Sequence, residues 1–102
     1  MPLGNGRVEP MNRCRLHIHY SGRVQGVGFR YRVKTLTTGY EVIGTVRNLA
    51  DGRVELIVEG MKEELEEFQK AITDSELGSF IRSEHVSWKS ATGEFKGFQI
   101  VG

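Results

Sequence analysis

At 102 residues the chain has room for one domain and one core, and its 38% hydrophobic and 26% charged content is that of an ordinary globular sequence. A formal net charge of +1 excludes a nucleic-acid or membrane surface built on bulk electrostatics, and no apolar run approaches the roughly 20 residues of a membrane span. The single cysteine, Cys14, excludes an intrachain disulfide and suits a reducing, cytoplasmic setting.

Residues 1–13 contain both prolines and lack the apolar segment of a signal peptide, so they read as a flexible extension before one domain, 14–102. Arg15 to Tyr20 alternates, with Leu16, Ile18 and Tyr20 on one face, which predicts a half-buried strand. Next comes Ser21-Gly22-Arg23-Val24-Gln25-Gly26-Val27-Gly28-Phe29-Arg30, with three glycines and two arginines. Glycine lets successive backbone N–H groups turn inward around an anion. A helix starting near Phe29 adds its unpaired N–H groups and positive dipole end, and Arg30 in its first turn adds a guanidinium fork matched to phosphate oxygens. The stretch is the outline of a phosphate cradle. It is not a Walker A loop, since no lysine follows until Lys34, nor a dinucleotide fingerprint, since the third glycine is missing.

Phe29, Val33, Leu36 and Tyr40 recur at helical spacing, with Gly39 as a stop signal. Val33, Thr35, Thr37 and Thr38 weaken that helix, so packing must hold it. A strand over Val42 to Asn48 meets another over Arg53 to Glu59 across an Asp51-Gly52 turn. Met61 to Thr73 reads as a helix with Leu65, Phe68 and Ile72 inward and a run of glutamates complementing its dipole. A loop over Asp74 to Phe80 precedes a fourth strand in which Val86 and Trp88 share a face. Lys96 to Val101 closes the chain.

The order βαββαβ, with two interleaved crossovers around a hairpin, predicts an α+β sandwich: an antiparallel sheet with both helices on one face. Its first two strands run in the same direction, so the glycine loop and Asn48 emerge at one edge of the sheet. Tyr20 and Trp88 are expected in the core. Gly44 is expected at a close backbone approach, and Arg23 and Arg32 as peripheral attraction for an anion.

Two motifs, Gly22 to Arg30 and Gly44-Thr45-Val46-Arg47-Asn48-Leu49-Ala50-Asp51-Gly52, resemble those of the acylphosphatase family in order and separation. Gly93-Glu94-Phe95-Lys96-Gly97-Phe98-Gln99-Ile100 is similar to that family's closing strand, so the resemblance runs over roughly Arg15 to Val101. It implies a ferredoxin-like fold and hydrolysis of acyl phosphates, with Arg30 binding phosphate and Asn48 orienting water. Thr45 departs from the pattern, standing where many relatives carry tryptophan.

The residues themselves support that chemistry by what they omit. Asp51 and Asp74 are the only aspartates, and Asp51 belongs to a turn, which argues against an aspartyl-phosphate or an Asp-rich two-metal site. A cysteine phosphatase needs an arginine six residues after Cys14, where Tyr20 stands. His17 and His19 share the outward face of a strand without an evident third ligand, and read as solvated; His85 has no evident partner. No cofactor and no metal are expected. A phosphoric–carboxylic anhydride suits such a site, because its carboxylate leaving group, with a conjugate-acid pKa of roughly 4–5, needs no general acid. Phosphoryl transfer then requires little beyond positioning and charge stabilisation. Arg30, Asn48 and the loop Gln25, Gly26, Val27, Gly28 and Phe29 are the expected site, and a small acyl phosphate the expected partner of a monomer.

The alternative is a non-catalytic domain that binds phosphate or carbamoyl phosphate within a larger assembly, as in the carbamoyltransferase that matures nickel–iron hydrogenases. Such domains tend to carry proline after the motif arginine and to continue into much longer chains. Here Tyr31 follows Arg30 and the chain ends at Gly102, which favours a free-standing enzyme. An RNA-recognition module shares the element order but needs stacking aromatics. The third strand has none and carries Glu55 and Glu59.

Overall fold

The computed structural model describes residues 13–102. Strand β1 (Arg13–Gly22) is two residues longer at each end than the expected strand Arg15 to Tyr20, and Leu16, Ile18 and Tyr20 are all fully buried. The expected extension, 1–13, lies outside the described residues except for Arg13, which opens β1.

Helix α1 (Phe29–Leu36) buries Phe29 and Val33, then tightens into a 3-10 turn over Thr37–Gly39. The threonines account for the early stop. Thr37 Oγ1 donates to Lys34 O at 2.6 Å and Thr38 Oγ1 to Thr35 O at 2.8 Å, offering these carbonyls a partner other than the helical ladder. Strands β2 (Ile43–Asn48) and β3 (Val54–Met61) form the expected hairpin. Helix α2 (Lys62–Asp74) buries Leu65, Phe68 and Ile72, as its periodicity requires. A 3-10 turn over Glu76–Phe80 leads into β4 (Ile81–Ser90), and β5 (Phe98–Ile100) closes the sheet.

The strand order is β4-β1-β3-β2-β5. β1 pairs antiparallel with β3 and β4, and β2 with β3, giving the antiparallel sheet expected; β5 alone runs parallel to its neighbour β2. That mixed edge follows from a chain that must return after β4 to the far side of the sheet. Both helices supply apolar faces to one core, in which Phe68 stacks within 5.7 Å of Tyr40 and 6.5 Å of Phe98.

Trp88 is not a core residue: it is 38% exposed, on an edge strand that the helices cover only partly, with Lys62 Nζ 5.6 Å from its ring centroid. Tyr20 is fully buried against Phe29, ring centroids 5.1 Å apart. At Gly44 a Cβ would overlap the backbone carbonyl of Ile57, which is the close approach expected there.

One buried charge was not legible in the sequence. Glu59 is wholly inaccessible and collects Arg15 Nε at 2.8 Å, the backbone N–H groups of Thr92 and Gly93 at 2.9 Å each, and the Thr92 hydroxyl at 3.0 Å. Burial alone would raise its carboxyl, but these donors hold it at about 2. They pin the segment before β5 onto the outer face of the sheet.

Candidate active site

β1 and β2 run in the same direction, so the loop 23–28 and the end of β2 share one edge of the sheet. Glycines shape the loop. Gly26 and Gly28 adopt φ of 78° and 80°, a left-handed conformation that costs other residues about 1–2 kcal/mol. Gly28 also caps α1 without a side-chain hydrogen bond, and the first bond of the helix runs from Arg32 N to Gly28 O at 3.0 Å. Among the described residues the N–H groups of Gln25, Gly26, Val27, Gly28 and Phe29 find no acceptor. Phe29 and Val27 anchor the loop from beneath, Phe29 within the core and Val27 packed against it.

Arg30 follows at once, half-buried, and among the described residues its guanidinium makes no hydrogen bond or ion pair. Four of the seven other described arginines pair with carboxylates. Arg15 binds Glu59 and Glu94, Arg47 binds Glu55, and Arg53 binds Asp51. Arg32 belongs with these rather than with a free attraction for anions: its Nε lies 3.0 Å from Glu76 Oε2, a charge pair outside hydrogen-bond geometry. Arg23 has no carboxylate partner among the described residues. It lines an open cleft of about 500 Å³ with Gly22, Arg82 and the segment Ser79–Ile81.

Asn48 ends β2 on the face that carries Gly44 and Val46, the side against which α1 packs. Its Oδ1 is buried and has no hydrogen-bond partner among the described residues. A buried amide oxygen without a donor is an uncommon cost in a folded chain, and marks a place where a donor from outside belongs. Asp51 is spent on the turn, its Oδ1 accepting from Arg53 N at 3.1 Å and its Oδ2 from Arg53 Nε at 2.9 Å.

Gln25 does more than its expected role as one loop N–H. Its Nε2 donates to Leu49 O at 2.8 Å and to Arg53 O at 2.9 Å, tying the loop to the hairpin that carries Asn48. The sequence signal for this was only the adjacency of an amide to the glycines, which cannot name the acceptors.

The acylphosphatase family pattern matches residues 16–100. An acylphosphatase of Roseiflexus sp. (strain RS-1) is 36% identical over 91 residues, covering 89% of this chain and 98% of its own. The crystal structure of acylphosphatase from Bacillus subtilis superimposes with a TM-score of 0.80 at 34% identity, covering 87% of this chain and 99% of its own. Full-length HypF in its phosphate- and nucleotide-bound form matches 95% of this chain at a TM-score of 0.77 and 30% identity, but over only 12% of that longer protein.

Proposed function

The chain belongs to the acylphosphatase family and hydrolyses the carboxyl–phosphate anhydride of acyl phosphates, and we propose that it does so without a metal, through Arg30 and Asn48. The Arg30 fork takes two equatorial phosphoryl oxygens, and the N–H groups of Gln25 to Phe29 hold the same group. A water donates one hydrogen to Asn48 Oδ1, which turns its lone pair toward phosphorus, in line with the departing carboxylate. The second hydrogen passes to a phosphoryl oxygen of the substrate, and the carboxylate leaves without needing a proton.

One observation carries this reading. Arg30, whose guanidinium has no partner among the described residues, and Asn48, whose buried Oδ1 has no donor among them, belong to two segments that Gln25 ties together. We take the acting unit to be a monomer in the cytoplasm, a setting that a lone cysteine suits.

The test is hydrolysis of benzoyl phosphate with EDTA present, by the native chain and by Arg30→Ala and Asn48→Ala. Fast native turnover with both folded variants inactive supports the assignment. A metal requirement, or full activity in either variant, overturns it. A folded native chain that binds phosphate without turnover points instead to a binding domain.

A further inference from the structure

The outer face of the sheet, opposite the helices, carries a row of side chains in register across four strands. His85 on β4 faces His19 on β1, His19 faces Glu55 on β3, and Glu55 faces Arg47 on β2. His17 stands two residues before His19 on the same face, their rings 4.7 Å apart. Both imidazoles converge on a single carboxylate oxygen. His17 Nε2 lies 2.8 Å and His19 Nε2 3.5 Å from Glu55 Oε2, and one ligand atom from each of the three residues fits within 4.8 Å. Arg47 Nε holds the other oxygen, Oε1, at 2.7 Å, which turns Oε2 toward the imidazoles.

We propose that His17, His19 and Glu55 form a site for a transition-metal dication, separate from the phosphate chemistry. Ligand atoms around a tetrahedral Zn²⁺ sit about 3.4 Å apart, given metal–ligand distances near 2.0–2.1 Å, so a small side-chain rotation closes this set. Two imidazoles and one carboxylate select Zn²⁺, Co²⁺, Ni²⁺ or Cu²⁺ over Mg²⁺ or Ca²⁺, which prefer oxygen. The ion takes the place of the contact between His17 Nε2 and Glu55 Oε2, with each neutral imidazole ligating through Nε2 and keeping its one N–H on Nδ1. Water or His85, on the adjoining strand, completes the shell. Arg47 acts as the outer partner that orients the carboxylate. An ion here cross-links β1 to β3 and stabilises the folded chain, since the unfolded chain presents no such set.

The test is calorimetric titration of the full chain with Zn²⁺, and with Mg²⁺ as control, alongside thermal melts. Expected are one equivalent of Zn²⁺ bound, a Tm that rises with Zn²⁺ concentration, and no response to Mg²⁺. A folded His17→Ala/His19→Ala double variant and Glu55→Gln should each weaken Zn²⁺ binding at least tenfold, while benzoyl phosphate hydrolysis in EDTA stays at the native rate. No Zn²⁺ binding by the native chain overturns the proposal. So does native-strength binding in the double variant, which would place the ion elsewhere.

Discussion

Gln25 Nε2 donates to Leu49 O at 2.8 Å, so the loop after β1 and the residue that follows Asn48 form one hydrogen-bonded unit. With a second bond from the same nitrogen to Arg53 O at 2.9 Å, the amide closes a bridge across 24 and 28 positions of sequence. Gln25→Ala removes both bonds and should cost about 1–2 kcal/mol of stability. It should also lower kcat by about tenfold or more, because the segments proposed to hold the water and the phosphate then move independently. Melting curves and steady-state kinetics check this; a lowered Tm with native kcat would reduce Gln25 to a structural brace.

Arg30→Lys keeps the charge but loses the planar fork, so it should recover little of what Arg30→Ala loses. Asn48→Ala should leave phosphate affinity close to native while lowering kcat about 100-fold, the pattern of a group that acts in the transition state. Phosphate titrations beside kinetics separate the two roles.

Gly28 and Gly44 should fail in different ways when changed to alanine. Among the described residues a Cβ on Gly28 meets nothing within 4 Å, so its cost is confined to the left-handed φ of 80°, about 1–2 kcal/mol. The loop relaxes, and the dissociation constant for phosphate rises. A Cβ on Gly44 overlaps the Ile57 carbonyl, so β2 and β3 must separate. The Tm loss should therefore be the larger for Gly44→Ala, and the loss of phosphate affinity the larger for Gly28→Ala.

Glu59 links stability to acid. Its carboxyl falls from an ordinary 4.5 to about 2 in the folded chain, against the upward pull of burial, under the N–H groups of Thr92 and Gly93 and the Arg15 guanidinium. A depressed pKa means the stabilisation is complete above pH 4.5 and is lost as pH falls from there toward 2. Glu59→Gln should cost about 3 kcal/mol at neutral pH and flatten that acid slope. Urea unfolding midpoints measured across the acid range test both.

Tyr20 presents the opposite case. Its hydroxyl is buried without a hydrogen-bond partner among the described residues, and burial, with Glu84 nearby, pushes its ionisation upward. Tyr20→Phe removes an unsatisfied polar atom while keeping the ring against Phe29, so stability should hold or rise. A Tm lower by several degrees would reveal a partner for the hydroxyl.

Local physics determined much of this protein. Alternation in Leu16, Ile18 and Tyr20, the 3.6-residue spacing of Leu65, Phe68 and Ile72, and the glycines at 26 and 28 are properties of short segments. The strands, the two α-helices and the glycine turn before α1 could therefore be read from neighbours in sequence, whereas the 3-10 turn over Glu76–Phe80, expected as a loop, could not; the omissions, with only two aspartates and one cysteine, narrowed the chemistry. The tertiary structure decided what depends on partners far apart in the chain. Which carbonyls Gln25 reaches, how Glu59 tolerates burial, why Trp88 stays at the edge, and how Glu55 supplies a third group to His17 and His19 all follow from strand order and register. Those pairings lie up to 79 positions apart, as between Arg15 and Glu94, and no local periodicity encodes which side chain a neighbouring strand will bring.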